Sequence, residues 1–252
     1  MVLMILYGIG RNNEINSKFV SKLSSQIREH ENLKIIYLFN KVDKIFNPRS
    51  NEDTFPPKVN KNDFENNHFI MFKESQLISN DTLNFIKNYD DIYGDNFISY
   101  KNLISQLSLL KMGTKSINFN DFKKIIFLRD DVFLNKKLNF NIIFKASSYS
   151  FLPYWSWCHG YNDRFFITNP NGAFVFSNRI DNIKDFLAEH GFLQGERLLK
   201  FSLNKADINV LPLQTKALRI RTNGFISFEK NYLNFFYTRN LVELMYKLFL
   251  SK

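Results

Sequence analysis

Only one of the 252 residues is a cysteine, Cys158, so no disulfide can close within the chain, and a reducing interior suits it best. No stretch approaches the ~20 consecutive apolar residues that crossing a bilayer requires. The expectation is a soluble, cytoplasmic protein with at most peripheral membrane contact. The four histidines, His30, His68, His159 and His190, are scattered without metal-ligand spacing, and with a lone cysteine they make no zinc motif. A G-x-S-x-G elbow is missing, which removes the serine hydrolases built on it. Internal repeats and low-complexity tracts are absent too. The 34 basic and 24 acidic residues are spread along the chain rather than bunched, which argues against nucleic-acid binding despite a net charge of +10.

Apolar and aromatic surface is plentiful: 44% of residues are hydrophobic, and 28 are Phe. That much apolar area offsets chain entropy, so disorder is not expected over most of the length. At 252 residues the chain fits the upper end of a single domain. The positive balance favours anionic partners, phosphorylated donors and acidic glycans among them.

The order of elements is legible. Val2–Tyr7 is an apolar run entering Gly8-Ile9-Gly10-Arg11, which reads as a buried first strand and a glycine turn rather than a signal peptide. Ile15, Phe19, Leu23 and Ile27 recur at helical spacing, and residues 33–39 form a second strand. Strand, helix, strand implies a parallel βαβ unit. Residues 40–67 read as a long polar loop or insertion. A short strand at 68–72, helices over 77–88 and 97–112, and a strong strand at 122–128 follow. Asn169-Pro170 is a helix start, with Asn as cap and Pro in the first turn. Helices are expected over 183–190 and 196–204, a short strand at 208–211 continued by 219–221, and a C-terminal amphipathic helix within 232–252. The whole reads as an α/β domain with a mostly parallel sheet flanked by helices, whose ligands bind beyond the carboxyl ends of the strands.

Three constellations could carry chemistry there. Arg129-Asp130-Asp131 follows the strand at 122–128, where a carboxylate can hold a divalent cation or simply form a solvated turn. Successive residues on extended backbone face opposite ways, so only one aspartate should meet a ligand. Trp155 to Phe165 gathers both tryptophans with His159, Asn162, Asp163 and Arg164. Such a mixture suits stacking on sugars and pairing with hydroxyls and phosphates, or else a structural loop with Asp163 paired to Arg164. Gly8-Ile9-Gly10-Arg11 lets backbone N–H groups approach a phosphate, but Asn13 occupies the third glycine position of a dinucleotide fingerprint. Glu196 opens a late helix, either as a favourable end charge or as an acceptor contact.

The strings IIFLRDDVFL, GYNDRFFITNP, FVFSNRI, GERLLKFSL and LRIRTNGF, with the opening ILYGIGRN, resemble a family of small glycosyltransferases. Its members occur in bacterial surface-polysaccharide clusters and giant algal viruses. Landmarks of that family are an R-x-D tripeptide at a strand end, a G-x-N-D-R-F segment, an acidic residue opening a late helix, and an R-x-R strand. The resemblance runs from the first strand to about residue 224. It implies a single GT-A-like, Rossmann-like domain over 1–252, a nucleotide-sugar donor, a glycan acceptor and Mn²⁺ or Mg²⁺. By position, Asp131 would bind the metal or the donor diphosphate, with Asp130 standing where the family commonly has Pro. Asp163 would be the base that deprotonates the acceptor, with His159 and Glu196 as alternatives. Gly8, Gly10, Arg11, Arg129, Asp130, Asn162 and Arg164 would surround the donor. Transfer is expected to invert the anomeric centre in surface-glycan synthesis. The alternative is an inactive nucleotide- or glycan-binding protein of the same fold.

Overall fold

The computed structural model describes residues 1–10, 13–56, 59, 68–134, 137–155 and 159–228. The chain opens with β1 (Val2–Gly8), α1 (Asn13–Arg28) and β2 (Leu33–Lys41), the expected βαβ unit. A hairpin of β3 (Ile45–Asn47) and β4 (Glu52–Thr54) precedes β5 (His68–Lys73). Helices α2 (Glu74–Leu77), α3 (Asn80–Ile86) and α4 (Ile98–Thr114) lead to β6 (Lys124–Arg129) and β7 (Val132–Leu134). Next come α5 (Phe140–Lys145), β8 (Ser150–Pro153), β9 (Phe165–Thr168), α6 (Pro170–Asn178), α7 (Ile183–His190) and α8 (Gly195–Lys205). Strands β10 (Val210–Leu213), β11 (Ala217–Ile220) and β12 (Ile226–Phe228) end the described chain.

The central sheet has the order β10-β8-β9-β6-β1-β2-β5, and β9 alone runs against its neighbours. It is the mostly parallel α/β sheet expected. Every residue of β1 is buried, because a parallel strand covered on both faces needs a continuous apolar run rather than alternation. Its side chains still divide with period two. Val2, Met4 and Leu6 join a core with Leu23 and Ile27 of α1 and Phe140 and Ile143 of α5. Leu3, Ile5 and Tyr7 face the opposite core with Leu109 of α4, Phe176 of α6 and Leu199 of α8. Asn169 caps α6 as expected, its side chain accepting from Gly172 N at 2.9 Å. No helix among the described residues is long and apolar enough to cross a membrane.

Three expectations are corrected. Residues 40–67 are not all loop: Asn40 and Lys41 finish β2, and β3 and β4 pair as a hairpin around a tight turn at Pro48–Ser50. The helix expected over 77–88 is two short ones, α2 and α3, separated by extended Ile78. Residues 219–221 do not continue the edge formed by β10. Instead β11 pairs antiparallel with β7 and β12 in a separate three-stranded sheet. The C-terminal helix expected within 232–252 lies outside the described residues, as do Arg11, Trp157 and Cys158.

One polar anchor sits far from the strand ends that matter below. Lys124, at the start of β6, is fully buried, and its Nζ donates to the carbonyls of Ala146 (2.8 Å), Ser147 (3.0 Å) and Tyr149 (2.6 Å). Burial pulls its amine down to about 8. Replacing it with Met leaves three acceptors buried without their donor, each worth about 1 kcal/mol or more. Lys124→Met is therefore expected to lower the unfolding free energy by about 3 kcal/mol in urea titration. An unchanged midpoint would show that the turn at 146–149 does not depend on this side chain.

Candidate active site

The carboxyl ends of β1, β2 and β6 open onto a cleft of about 610 Å³. The hairpin β3–β4, the first turns of α4, the start of α8 and β11 close it from the sides. Gly8, Ile9, Arg129, Asp131, Asp163, Arg164 and Glu196 all line it, although they come from four separate stretches of chain. The side chains converge because β1 and β6 run in parallel register, Tyr7 beside Arg129, and Arg129 N donates to Arg164 O at 2.9 Å.

The turn after β1 is built on Asp130. Its backbone N donates to Tyr7 O, and its carboxylate accepts from Ile9 N, both at 2.9 Å. Gly8 has a φ of +154°, and a Cβ there would stand 2.1 Å from Asp130 Oδ1, so only glycine fits. Asp130, expected at the donor, is thus fully buried behind the turn and absent from the cleft wall. Neighbouring residues face opposite ways, and the outward one is Asp131.

Asp131 is 1% exposed and meets three arginines. Its oxygens accept from Arg129 Nε at 2.6 Å and Nη2 at 3.1 Å, and from Arg219 Nη2 at 3.0 Å and Nε at 3.2 Å. Arg221 Nη1 lies 3.8 Å away. This arrangement does not fit the divalent cation expected at Asp131. A cation brought here would meet guanidinium charge in close contact, and unit charges about 4 Å apart repel by ~4 kcal/mol at an effective dielectric of about 20. Among the described residues no three His, Cys, Asp or Glu side chains gather as a metal centre.

Asp163 and Glu196 form the second focus. Tyr161 N donates to Glu196 O at 2.8 Å, seating the loop before β9 on the first turn of α8. The Tyr7 hydroxyl donates to Asp163 O at 2.5 Å, fixing the same loop from beneath. Gly195 lets the carboxylate reach the helix end, since a Cβ there would lie 3.2 Å from Asp163 Oδ2. Gln106 Nε2 donates to that oxygen at 3.5 Å, and Arg129 Nη1 lies 3.9 Å from the other. Glu196 accepts from Arg164 Nη2 at 3.1 Å.

The two carboxyl groups are driven apart. Burial acts to raise Asp163, but the guanidinium groups of Arg129 and Arg164 overcome it and hold this carboxyl below its ordinary range. Burial, then the charge of Asp163, raises Glu196 against the pull of Arg164. Between its unfolded and folded values Glu196 binds more protons in the native state, so stability falls as pH rises through that window. Glu196→Gln keeps an acceptor for Arg164 and removes the penalty. The variant is expected to match the wild type near pH 4 and to melt higher at pH 7.5. A lower melting temperature at both pH values would contradict the raised carboxyl.

Other expected residues fall elsewhere. His159 is exposed with a φ of +65° and lies off the cleft. Asn162 is buried, donating to Trp155 O at 3.0 Å and accepting from Arg164 N at 2.9 Å, so it shapes the loop instead of lining the cavity. Trp155 is core. Gly10, with a φ of +74°, is buried and does not line the cleft. Sequence reasoning did not single out Arg219, Arg221 or Asn40 as cleft residues. Arg219 and Arg221 had a signal, two cations at period-two spacing beside a short strand. Asn40, next to last in β2, lines the cleft; it donates to Ser105 Oγ at 2.8 Å, and its buried Oδ1 has no partner among the described residues.

No protein-family model and no curated protein sequence matches this chain. Solved structures with a similar layout include the galactosyltransferase LgtC in complex with donor and acceptor sugar analogs. It is 10% identical, with a TM-score of 0.43 over 84% of this chain and 73% of that one. Mouse xyloside xylosyltransferase 1 is 11% identical, with a TM-score of 0.42 over 84% of this chain and 85% of that one. A Drosophila beta-1,4-galactosyltransferase 7 mutant, solved with manganese, UDP-Gal and xylobiose, is 12% identical. Its TM-score is 0.37 over 95% of this chain and 74% of that one.

Proposed function

We propose that this chain is a GT-A-like glycosyltransferase that moves a sugar from a nucleotide-sugar donor to an acceptor hydroxyl, with a surface glycan as its acceptor class. The observation that carries the reading is the convergence of Asp163 and Glu196 with Arg129, Arg164, Arg219 and Arg221 in one cleft at the strand ends. Anionic and hydroxyl-rich ligands need that pairing of guanidinium and carboxylate groups.

In this reading the nucleoside lies along Gly8, Ile9 and Asn40, where backbone and a buried amide carbonyl meet the cavity. The sugar points towards Asp163 and Glu196. The acceptor oxygen attacks the anomeric carbon while the bond from that carbon to the phosphate oxygen breaks, and the nucleoside diphosphate leaves. One carboxylate takes the hydroxyl proton. His159 is off the cleft, which narrows the choice to two. Glu196 suits the task better than Asp163, because a base works best with a pKa near the working pH, and arginines make Asp163 a weak one. Asp163 then serves as the fixed negative charge facing the reacting sugar. Attack from the side of these carboxylates, opposite the departing phosphate, inverts the anomeric centre.

A thermal-shift panel of nucleotide sugars tests the reading. A donor that binds only the native state stabilises it by about 2.7 kcal/mol at a hundred times its Kd. For a chain this long that is roughly 5–10 °C in Tm. A response to free glycans with none to any nucleotide sugar would favour the inactive glycan-binding alternative.

A further inference from the structure

On the glycosyl-transfer reading, on which this rests, we propose that the acceptor is an acidic sugar. Arg49, stacked on Tyr93 where the cleft meets solvent, takes its carboxylate and so brings the attacking hydroxyl to Asp163 and Glu196.

Of the cations that line the cleft, Lys44, Arg129, Arg164, Arg219 and Arg221 each pair with a carboxylate: Asp53, Asp131, Glu196, Asp131 and Glu52 in turn. Arg49 pairs with none among the described residues. It sits in the tight turn between β3 and β4, exposed, with its Cζ 3.9 Å from the centroid of the Tyr93 ring. A guanidinium stacked on a ring keeps its in-plane N–H groups for a second partner. One carboxylate suits one such fork, through two parallel N–H···O bonds.

Tyr93 is fixed from behind. Its ring meets that of Tyr100 edge-on, with centroids 5.6 Å apart. The Tyr100 hydroxyl donates to Asp90 O at 2.5 Å and accepts from Ile92 N at 3.4 Å and Leu193 N at 3.1 Å. One side chain thus ties the loop that carries Tyr93 to the loop that enters α8, where Glu196 sits. Asp90 N donates to Gly191 O at 3.1 Å, a second tie between the same loops. Burial, then the charge of Glu196, pushes the Tyr93 hydroxyl up to about 12. The Arg49–Tyr93 pair therefore belongs to the side of the cleft where Glu196 lies.

A polar face of α4 starts beside Tyr100 and reaches Asp163. Ser99, Asn102 and Gln106 recur at i, i+3 and i+7, and all three line the cleft. They span ~10 Å of helix. Asn102 Nδ2 donates to Phe46 O at 3.4 Å and Gln106 Nε2 to Asp163 Oδ2 at 3.5 Å, which leaves each amide carbonyl to accept from a hydroxyl. A neutral sugar needs no more than such a row. An arginine set at its outer end, stacked in place and paired with no carboxylate of the chain, is what an acidic sugar adds to the requirement.

The test is titration of the full chain with methyl glycosides followed by NMR, alone and with UDP, GDP, ADP or TDP present. The sugars are glucuronic and galacturonic acid, the matching neutral glucose and galactose, and, as a phosphate in place of the carboxylate, glucose 6-phosphate. The expected result is a uronic acid bound at least about tenfold more tightly than its neutral counterpart. Arg49→Gln should cut that preference below about twofold and leave the Kd of the nucleotide within about twofold, while Arg49→Lys keeps part of the preference. A melting curve on each variant establishes folding; should Arg49→Gln fail to fold, the lysine variant and the wild-type preference decide. No preference for a uronic acid, a preference that Arg49→Gln leaves intact, or tighter binding of glucose 6-phosphate overturns the proposal while leaving glycosyl transfer standing. So does an Arg49→Gln variant that loses the nucleotide instead of the sugar. A uronic acid held through Arg49 by a chain that binds no nucleotide sugar keeps the acidic-sugar site and overturns glycosyl transfer. No sugar bound under any condition overturns the proposal.

Discussion

Glu196→Gln is expected to lose about a hundred- to ten-thousandfold in transfer rate, the range of a general base, while keeping the wild-type Kd for donor. The split between binding and turnover follows from geometry. Glu196 sits at the start of α8 beside Asp163, with its carboxyl on the cleft wall and its backbone carbonyl engaged by Tyr161 N. Gln preserves the side-chain length and the acceptor for Arg164, so the substitution removes basicity and little else. The pH profile separates this role from a structural one. Because burial and the charge of Asp163 raise the Glu196 carboxyl, the wild-type rate should climb with pH along a limb above the ordinary carboxylate range. The variant should lack that limb. Asp163→Asn should also slow transfer, and the limb would remain but move to lower pH, because the charge of Asp163 helps to raise Glu196. A Glu196→Gln enzyme with near-normal turnover and an intact limb would return the role of base to Asp163.

The second large effect concerns stability. Asp131→Ala is expected to lower the unfolding free energy by about 3–5 kcal/mol, the cost of stripping the partner from buried charges. The usual value of an ion pair would not justify so large a figure, since exposed pairs contribute about 0–1 kcal/mol. Here Asp131 is 1% exposed and accepts from Arg129 and Arg219, both largely buried, so its removal takes a carboxylate away from each. Urea titration reads the change. A loss under about 1 kcal/mol would mean that the arginines relax into solvent and do not depend on Asp131.

Much of the frame was legible because it rests on local rules. β1 and β6 are continuous apolar runs that end in glycine or charge, and α6 begins at an Asn-Pro pair that caps it. The period of the first helix put Leu23 and Ile27 on the buried side, where both are found. The hairpin β3–β4 was missed because strands of three residues are shorter than any periodic signal. β11 was placed in the wrong sheet because pairing with β7 is a long-range choice that no local pattern encodes. The site divides the same way. Asp131, Asp163, Arg129, Arg164 and Glu196 were picked out as residues, and they meet in one cleft. What spacing could not convey is which groups satisfy one another. Asp130 looked as available as its neighbour until the Gly8 turn claimed it. Asp131 looked like a cation ligand until β11 brought Arg219 and Arg221 alongside.

The most direct measurement is the release of nucleoside diphosphate from each of a set of nucleotide sugars, followed by NMR, with acceptor glycans added in turn. The account predicts that one donor is consumed by the wild-type protein, that its sugar appears in a new glycosidic bond with inverted configuration, and that Glu196→Gln binds this donor without consuming it. No donor turned over by the wild type, with or without acceptor and metal, would contradict it.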